Sequence, residues 1–141
     1  MADVREALRA TGKPYVIENV QRAPLTNPVT LCGCMFGLTV EWDTGIPGNP
    51  TSWGLRRLRD FEVHGFELAQ PDHVPGIHDL PTIPVIQGTT YWFRHHWNIT
   101  TVTVDVKRRL MRTEWMTKQG TGESIPPAYA EYIGRSFLAS F

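Results

Sequence analysis

Long apolar runs are missing from this sequence. No stretch approaches the ~20 apolar residues that a membrane-spanning helix needs, so no membrane association is expected. A surplus of charge is missing too. Fourteen basic side chains balance fourteen acidic ones, and net charge therefore neither demands nor excludes a nucleic-acid partner. The first residues, MADVREALRATG, are charged and amphipathic, unlike a secretory leader, and the expected compartment is the cytoplasm. Cysteine is scarce. Cys32 and Cys34 are the only two, and the single residue between them leaves too little reach for an easy disulfide. Reduced thiols are expected. No Cys or His nearby in the sequence completes a four-ligand zinc pattern around them. His73, His78, His95 and His96 lack ligand company as well, so no metal is expected. Internal repeats and low-complexity segments are absent.

What is present is globular. Hydrophobic residues make up 41% of the chain and charged residues 20%, outside the range of disordered tails. The 141 residues suffice for one domain, 1–141, with a real core. Val4, Ala7, Leu8 and Thr11 fall at helical spacing and predict a helix over 2–11. Gly12 stops it and Pro14 lies just beyond. The run Tyr15, Val16 and Ile17 predicts a strand buried on both faces, as at the centre of a parallel sheet. A helix feeding such a strand is half of an α/β unit. Val29 to Leu31 is a short apolar segment in a loop. Glu41 to Gly54, rich in Gly and Pro, reads as a surface loop. Phe61 to Phe66 predicts a strand, 69–88 an irregular Pro-rich segment, and the β-branched run ITTVTVDV another strand. Lys107 to Met116 is a candidate helix. After Ser124 and Ile125, two prolines suit a first helical turn, and Ala130, Ile133, Phe137 and Leu138 then mark an apolar helix face.

Three segments in fixed order carry a resemblance: VIENV at a strand end, LRRLRDFE downstream and SIPPAYAEYIG near the C-terminus. Together with the block GKPYVIENVQRAPLTNPVTLCGCMFGL they resemble the C-terminal half of DNA cytosine-5 methyltransferases, in particular compact phage and bacterial members. The resemblance covers nearly the whole chain and is weakest between Ala69 and Arg109. It implies an α/β fold, a partial Rossmann-like methyltransferase sheet with flanking helices and Pro/Gly-rich loops. It also explains why an apolar strand ends in a carboxylate and an amide. In the family, the strand-end glutamate enters the pocket for a flipped-out cytosine, since chemistry on a base requires taking it out of the stack. The resemblance gives that role to Glu18, with Asn19 holding the strand-end geometry. Read without the resemblance, a polar strand end is ordinary surface chemistry.

The family's arginine motif begins with Gln and continues with two arginines at alternate positions. Here Leu55 replaces the Gln, while Arg57 and Arg59 keep the arginines, whose planar forks suit base-carbonyl and phosphate contacts. A solvated basic turn, with Arg56 and Arg59 paired to Asp60 or Glu62, is the competing account. SIPPAYAEYIG resembles the family's late segment beside the S-adenosylmethionine pocket, and its periodicity equally describes a core helix.

Two parts of the family's chemistry have no counterpart. No strand is followed by a glycine-rich turn that would hold S-adenosylmethionine. No cysteine stands in a Pro-Cys loop, and Cys32 and Cys34 both follow the glutamate strand, whereas the family's nucleophile precedes it. The expectation is a split enzyme: this chain supplies base recognition, and a companion chain supplies the S-adenosylmethionine site and the nucleophile. The isolated chain is expected to bind no cofactor. The alternative is an inactive methyltransferase-derived protein that binds DNA or a protein partner. A homodimer or companion chain is expected to cover the half-sheet. Tyr91, Trp92 and Trp97 could stack on bases, with Arg94 on phosphate, or form an aromatic core or dimer patch.

Overall fold

The computed structural model describes residues 1–41, 52–80, 82–83 and 103–141. Helix α1 spans Ala2–Ala10, and the chain turns after it at Gly12, whose φ of 64° is a conformation that glycine adopts without a steric penalty. Strand β1, Tyr15–Asn19, follows. Next come β2, Val29–Leu31, a 3₁₀ turn over Gly33–Phe36, and β3, Thr39–Glu41. β4 is Ser52–Leu55, β5 is Arg59–His64 and β6 is Thr82–Ile83. Three helices close the chain: α2, Val104–Met111; α3, Lys118–Glu123; and α4, Pro127–Leu138.

The described strands form two small sheets. In the first, β5 lies between β1 and β2 and runs antiparallel to both, so β1 and β2 point the same way on either side of it. In the second, β4 pairs antiparallel with β3 and parallel with β6. Register fixes the faces of the first sheet. Val16 opposes Val63 and Glu18 opposes Phe61, while Tyr15 opposes His64 and Ile17 opposes Glu62. Alternation then puts Val16, Glu18, Phe61 and Val63 on one face and Tyr15, Ile17 and Glu62 on the other. Tyr129 of α4 meets Phe61 edge-on, ring centroids 6.3 Å apart. Arg5 of α1 reaches Glu62 on the opposite face. Helices thus attach to both faces of the sheet, and the fold is α/β. The core joins the two sheets to α2 and α4 through Leu31, Trp53, Leu55, Phe61, Leu110 and Tyr129, all buried. Each such side chain contributes about 1.5–3 kcal/mol of transfer free energy.

Several elements differ from the sequence expectation. β1 is not the centre of a parallel sheet. Among the described residues it is an edge strand with one antiparallel neighbour, and its burial alternates, Tyr15 and Ile17 in, Val16 and Glu18 out. Three apolar residues in a row cannot distinguish two-face burial from an edge strand whose outward valine is half covered. α1 buries no residue, and Val4 is 52% exposed. The helix is held by Arg5 rather than by its apolar stripe. Val29 to Leu31 is a strand, not part of a loop.

In the expected loop, Glu41 belongs to β3 and Ser52 to Gly54 to β4, while 42–51 lies outside the described residues. The strand expected at Phe61 starts at Arg59 and ends at His64. Of the segment 69–88 expected to be irregular, residues 69–80 are so, Thr82–Ile83 form β6, and 81 and 84–88 lie outside the described residues. Val104 to Val106 are helical rather than extended, because the Thr103 hydroxyl caps the helix by accepting the Val106 N–H at 3.3 Å and Val106 is buried against the core. That helix ends at Met111, where Arg112 takes a φ of 56°. α4 starts at its prolines but buries Tyr129. Ala130 and Leu138 are exposed, and Ile133 and Phe137 are half-buried. The segment of Tyr91, Trp92, Arg94, His95, His96 and Trp97 lies outside the described residues. Among the described residues, no helix is long and apolar enough to cross a membrane.

Candidate functional site

The register of the first sheet brings two of the sequence-predicted residues together, Glu18 and Arg59. Glu18 faces Phe61 across the β1–β5 pair, and Arg59 lies two residues from Phe61 on the same face. Diagonal neighbours of this kind are within reach of a long side chain. Arg59 Nε accordingly sits 3.1 Å from Glu18 Oε1. The contact is an ion pair without hydrogen-bond alignment. Neither side chain is fully enclosed, at 18% and 36% exposure. Asp60 and Glu62, the partners expected for a merely solvated basic turn, are engaged elsewhere: Asp60 accepts from the Thr30 hydroxyl and Glu62 from Arg5.

Arg57 stands behind this pair, in the link from β4 to β5, and is buried. Its Nη2 donates to the Gly122 carbonyl at 3.0 Å, and its own carbonyl accepts the Tyr129 hydroxyl at 2.6 Å. Burial lowers the Arg57 pKa from the usual guanidinium range, the nearby Arg59 charge lowers it further, and Tyr129 and Glu18 oppose the shift. An arginine remains cationic under such pressure. Burial pushes Tyr129 well above the ordinary phenol range, so it is a neutral donor that ties α4 to the arginine link.

Glu18 also lines a cleft of about 400 Å³ between the sheet and α4. Val16, Phe61 and Phe66 form one wall, Ile133 and Phe137 of α4 the other, and Tyr15 borders the cleft at the start of β1. One carboxylate thus stands at the edge of a largely aromatic and aliphatic slot. Asn19 takes no part in lining it. Its side-chain oxygen accepts the Val20 N–H at 2.8 Å and shapes the turn at the strand end. Leu55, at the position of the family's glutamine, is sealed in the core at 1% exposure.

Comparison with protein-family models, with curated proteins and with solved structures finds no match. The functional reading therefore stands on the residues and their geometry.

Two features escaped the sequence reading. Tyr129 lies within SIPPAYAEYIG, but the apolar face expected there, Ala130, Ile133, Phe137 and Leu138, leaves it out, and apolar periodicity says nothing of its hydroxyl. The second feature corrects the expectation that His73 and His78 lack ligand company. Cys34 Sγ lies 2.9 Å from His73 Nδ1. One ligand atom each from Cys34, His73 and His78 falls within 4.8 Å of the other two. The local signal was present in the segment His-Val-Pro-Gly-Ile-His, whose central Pro-Gly specifies a turn. Cys34 itself is 39 residues away in sequence. Burial first, then the adjacent Cys32 thiol, pushes the Cys34 thiol up to about 12.

Proposed function

We propose that this chain is the base-recognition half of a DNA cytosine-5 methyltransferase-like enzyme, acting with a companion chain. The observation that carries the reading is the meeting of Glu18 and Arg59 at 3.1 Å beside the cleft. The residues come from the two segments, VIENV and LRRLRDFE, that resemble the family.

A carboxyl beside an apolar cleft lined by aromatic side chains suits an unstacked pyrimidine. Its oxygens can engage the ring nitrogen and the exocyclic amine, and it holds the proton on the ring nitrogen as a nucleophile adds to the ring. Arg59 sets a positive charge beside that carboxyl and offers a donor to the base carbonyl or a phosphate. Arg57, anchored by Gly122 and Tyr129, adds a fixed positive charge behind them. The companion supplies the thiolate and the S-adenosylmethionine site, and S-adenosylmethionine supplies the methyl group. No residue of this chain is assigned to hold the cofactor. The helix–sheet–helix layering is compatible with one end of a Rossmann-like methyltransferase sheet. The outer edge of β1 is where that sheet would continue.

Reconstitution tests this. The purified chain is combined with a candidate companion carrying a glycine-rich loop and a Pro-Cys motif, and methyl transfer to cytosine in duplex DNA is measured. Glu18→Gln should lower the rate by at least ~100-fold, the usual scale for losing a positioned acid–base group. Equal rates for the two proteins would end the base-pocket reading.

One observation favours a second reading, an inactive descendant that binds DNA or a protein partner. The first residue of the arginine motif, Leu55, is core and cannot contact a base. Absence of transfer with any companion, together with DNA binding that Glu18→Gln does not alter, would select it.

A further inference from the structure

We propose that Cys34, His73 and His78 form a binding site for Zn²⁺, independent of the cleft beside Glu18. A thiolate and two imidazoles are a ligand set suited to this borderline-soft ion. The backbone places them deliberately. Val74, Pro75, Gly76 and Ile77 make a tight turn, with the Ile77 N–H donating to the Val74 carbonyl at 3.3 Å. Gly76 has a φ of 77°. Proline second and a positive-φ glycine third are the marks of a type II turn. Such a turn reverses the chain between the two histidines, and their ring centroids lie 4.5 Å apart.

The turn is also fixed against the cysteine. The Val74 N–H donates to the Cys34 carbonyl at 3.1 Å. Ile77 packs against Gly54, where an added Cβ would stand 3.3 Å from the Ile77 carbonyl, and its Cδ1 lies near Gly37. The loop is therefore docked on the 3₁₀ turn before any ion arrives, which removes much of the ordering cost of assembling ligands from two distant segments.

Space and reach agree with this assignment. Cys34 and His78 share a cavity of about 30 Å³, enough for one water-sized occupant. Ligand atoms around a tetrahedral zinc stand roughly 3.3–3.7 Å apart, given its bond lengths, against 2.9 Å between Cys34 Sγ and His73 Nδ1 and a span of up to 4.8 Å for the whole group. Both histidines are exposed, so rotation of their rings can open the short contact and shorten the longer ones without disturbing the core. A larger cavity of about 460 Å³ borders both histidines together with Arg56, Gln70 and Asp72, and solvent from it would complete the coordination. Cys32 is not a ligand. Its Sγ is turned toward the Leu55 carbonyl, 3.9 Å away.

The test uses the purified, reduced, full chain titrated with Zn²⁺ by calorimetry, and with Co²⁺ as a spectroscopic stand-in whose sulfur-to-metal absorption reports a thiolate ligand. One equivalent should bind. His73→Asn and His78→Asn, at exposed positions where the fold is unaffected, should each weaken Zn²⁺ binding by more than the ~10–100-fold seen for changes outside the ligand shell. Cys34→Ser should remove the sulfur band, and Cys32→Ser should leave it. Zn²⁺ should also raise the melting temperature of the wild type but not of His73→Asn, since a ligand that binds only the folded chain stabilises it. Absence of one-equivalent binding at micromolar Zn²⁺, or binding that both histidine variants retain, would overturn the proposal. So would a sulfur band that follows Cys32 rather than Cys34. Should Cys34→Ser fail to fold, the histidine variants decide.

Discussion

Two arginine–glutamate pairs use opposite faces of the same β1–β5 ladder, and they are built differently. In Arg5–Glu62 the guanidinium grips both carboxylate oxygens, at 2.6 and 2.7 Å, and the Thr26 N–H adds a third bond at 2.8 Å. Arg5 also donates to the Pro24 carbonyl at 2.9 Å. The Glu62 side chain is 4% exposed. In Arg59–Glu18 a single contact of 3.1 Å is unaligned, and Glu18 is 36% exposed beside a cleft. A carboxylate whose oxygens are all claimed by its own chain has nothing left for a ligand. One held by a loose contact at a cleft keeps acceptor capacity in reserve. The first pair fastens α1 and the loop after β1 to the sheet, while the second leaves a charged group presented.

Breaking the first pair should have the largest effect on stability. Glu62→Ala leaves the Thr26 N–H and the Arg5 fork without their acceptor, at a cost of about 2 kcal/mol after allowance for solvent near the pair. Chemical denaturation of wild type and variant measures it. The same pair predicts an acid limb. The Arg5 hydrogen bond holds the Glu62 pKa below the usual carboxylate range, with the Thr26 N–H assisting and burial opposing. A depressed folded-state pKa gives stability that is present above the unfolded value, about 4.3. That stability is lost as pH falls from there through the folded value. Glu62→Gln should flatten this part of the pH–stability curve.

Tyr129→Phe removes the hydroxyl that donates to the Arg57 carbonyl and should cost about 1 kcal/mol. It sharpens the contrast from the cleft side, because it loosens the arginine link without touching either carboxylate. The smallest change in stability is expected for Glu18→Gln, within about 0.5 kcal/mol, as befits an exposed and unaligned pair. A loss from Glu18→Gln as large as that from Glu62→Ala would erase the distinction between the two faces.

What the sequence reveals follows the range of the forces involved. α1, β1 and α4 were legible because their signals are local: apolar spacing, a glycine stop, prolines at a helix start. Glu18, Arg57 and Arg59 are legible as candidates through the family resemblance, but the meeting of Glu18 and Arg59 depends on a register between strands some forty residues apart. β2 has the sequence character of a loop because three residues carry too little pattern. Val104 and Val106 favour strands by propensity, yet the Thr103 cap and the burial of Val106 prevail. The His73–His78 turn could be read from Pro75 and Gly76, whereas Cys34 joins them only through tertiary docking.

The position of β5 bears on how the chain comes off the ribosome. Among the described strands of its sheet it is the middle one and the last of the three to be made. Neither β1 nor β2 can pair in this sheet until residues 59–64 have emerged, and β1 must wait for some 45 further residues. At about 5–20 residues per second, that is an interval of several seconds in which Tyr15, Ile17 and Leu31 have no sheet to enter. When β5 arrives, it captures both neighbours, and with them the Glu18–Arg59 and Arg5–Glu62 contacts appear together. Assembly of this sheet is therefore one late event rather than a progressive one. A nascent chain stalled before residue 59 would carry α1 and two unpaired strands, a natural client for the chaperones that shield apolar segments during synthesis.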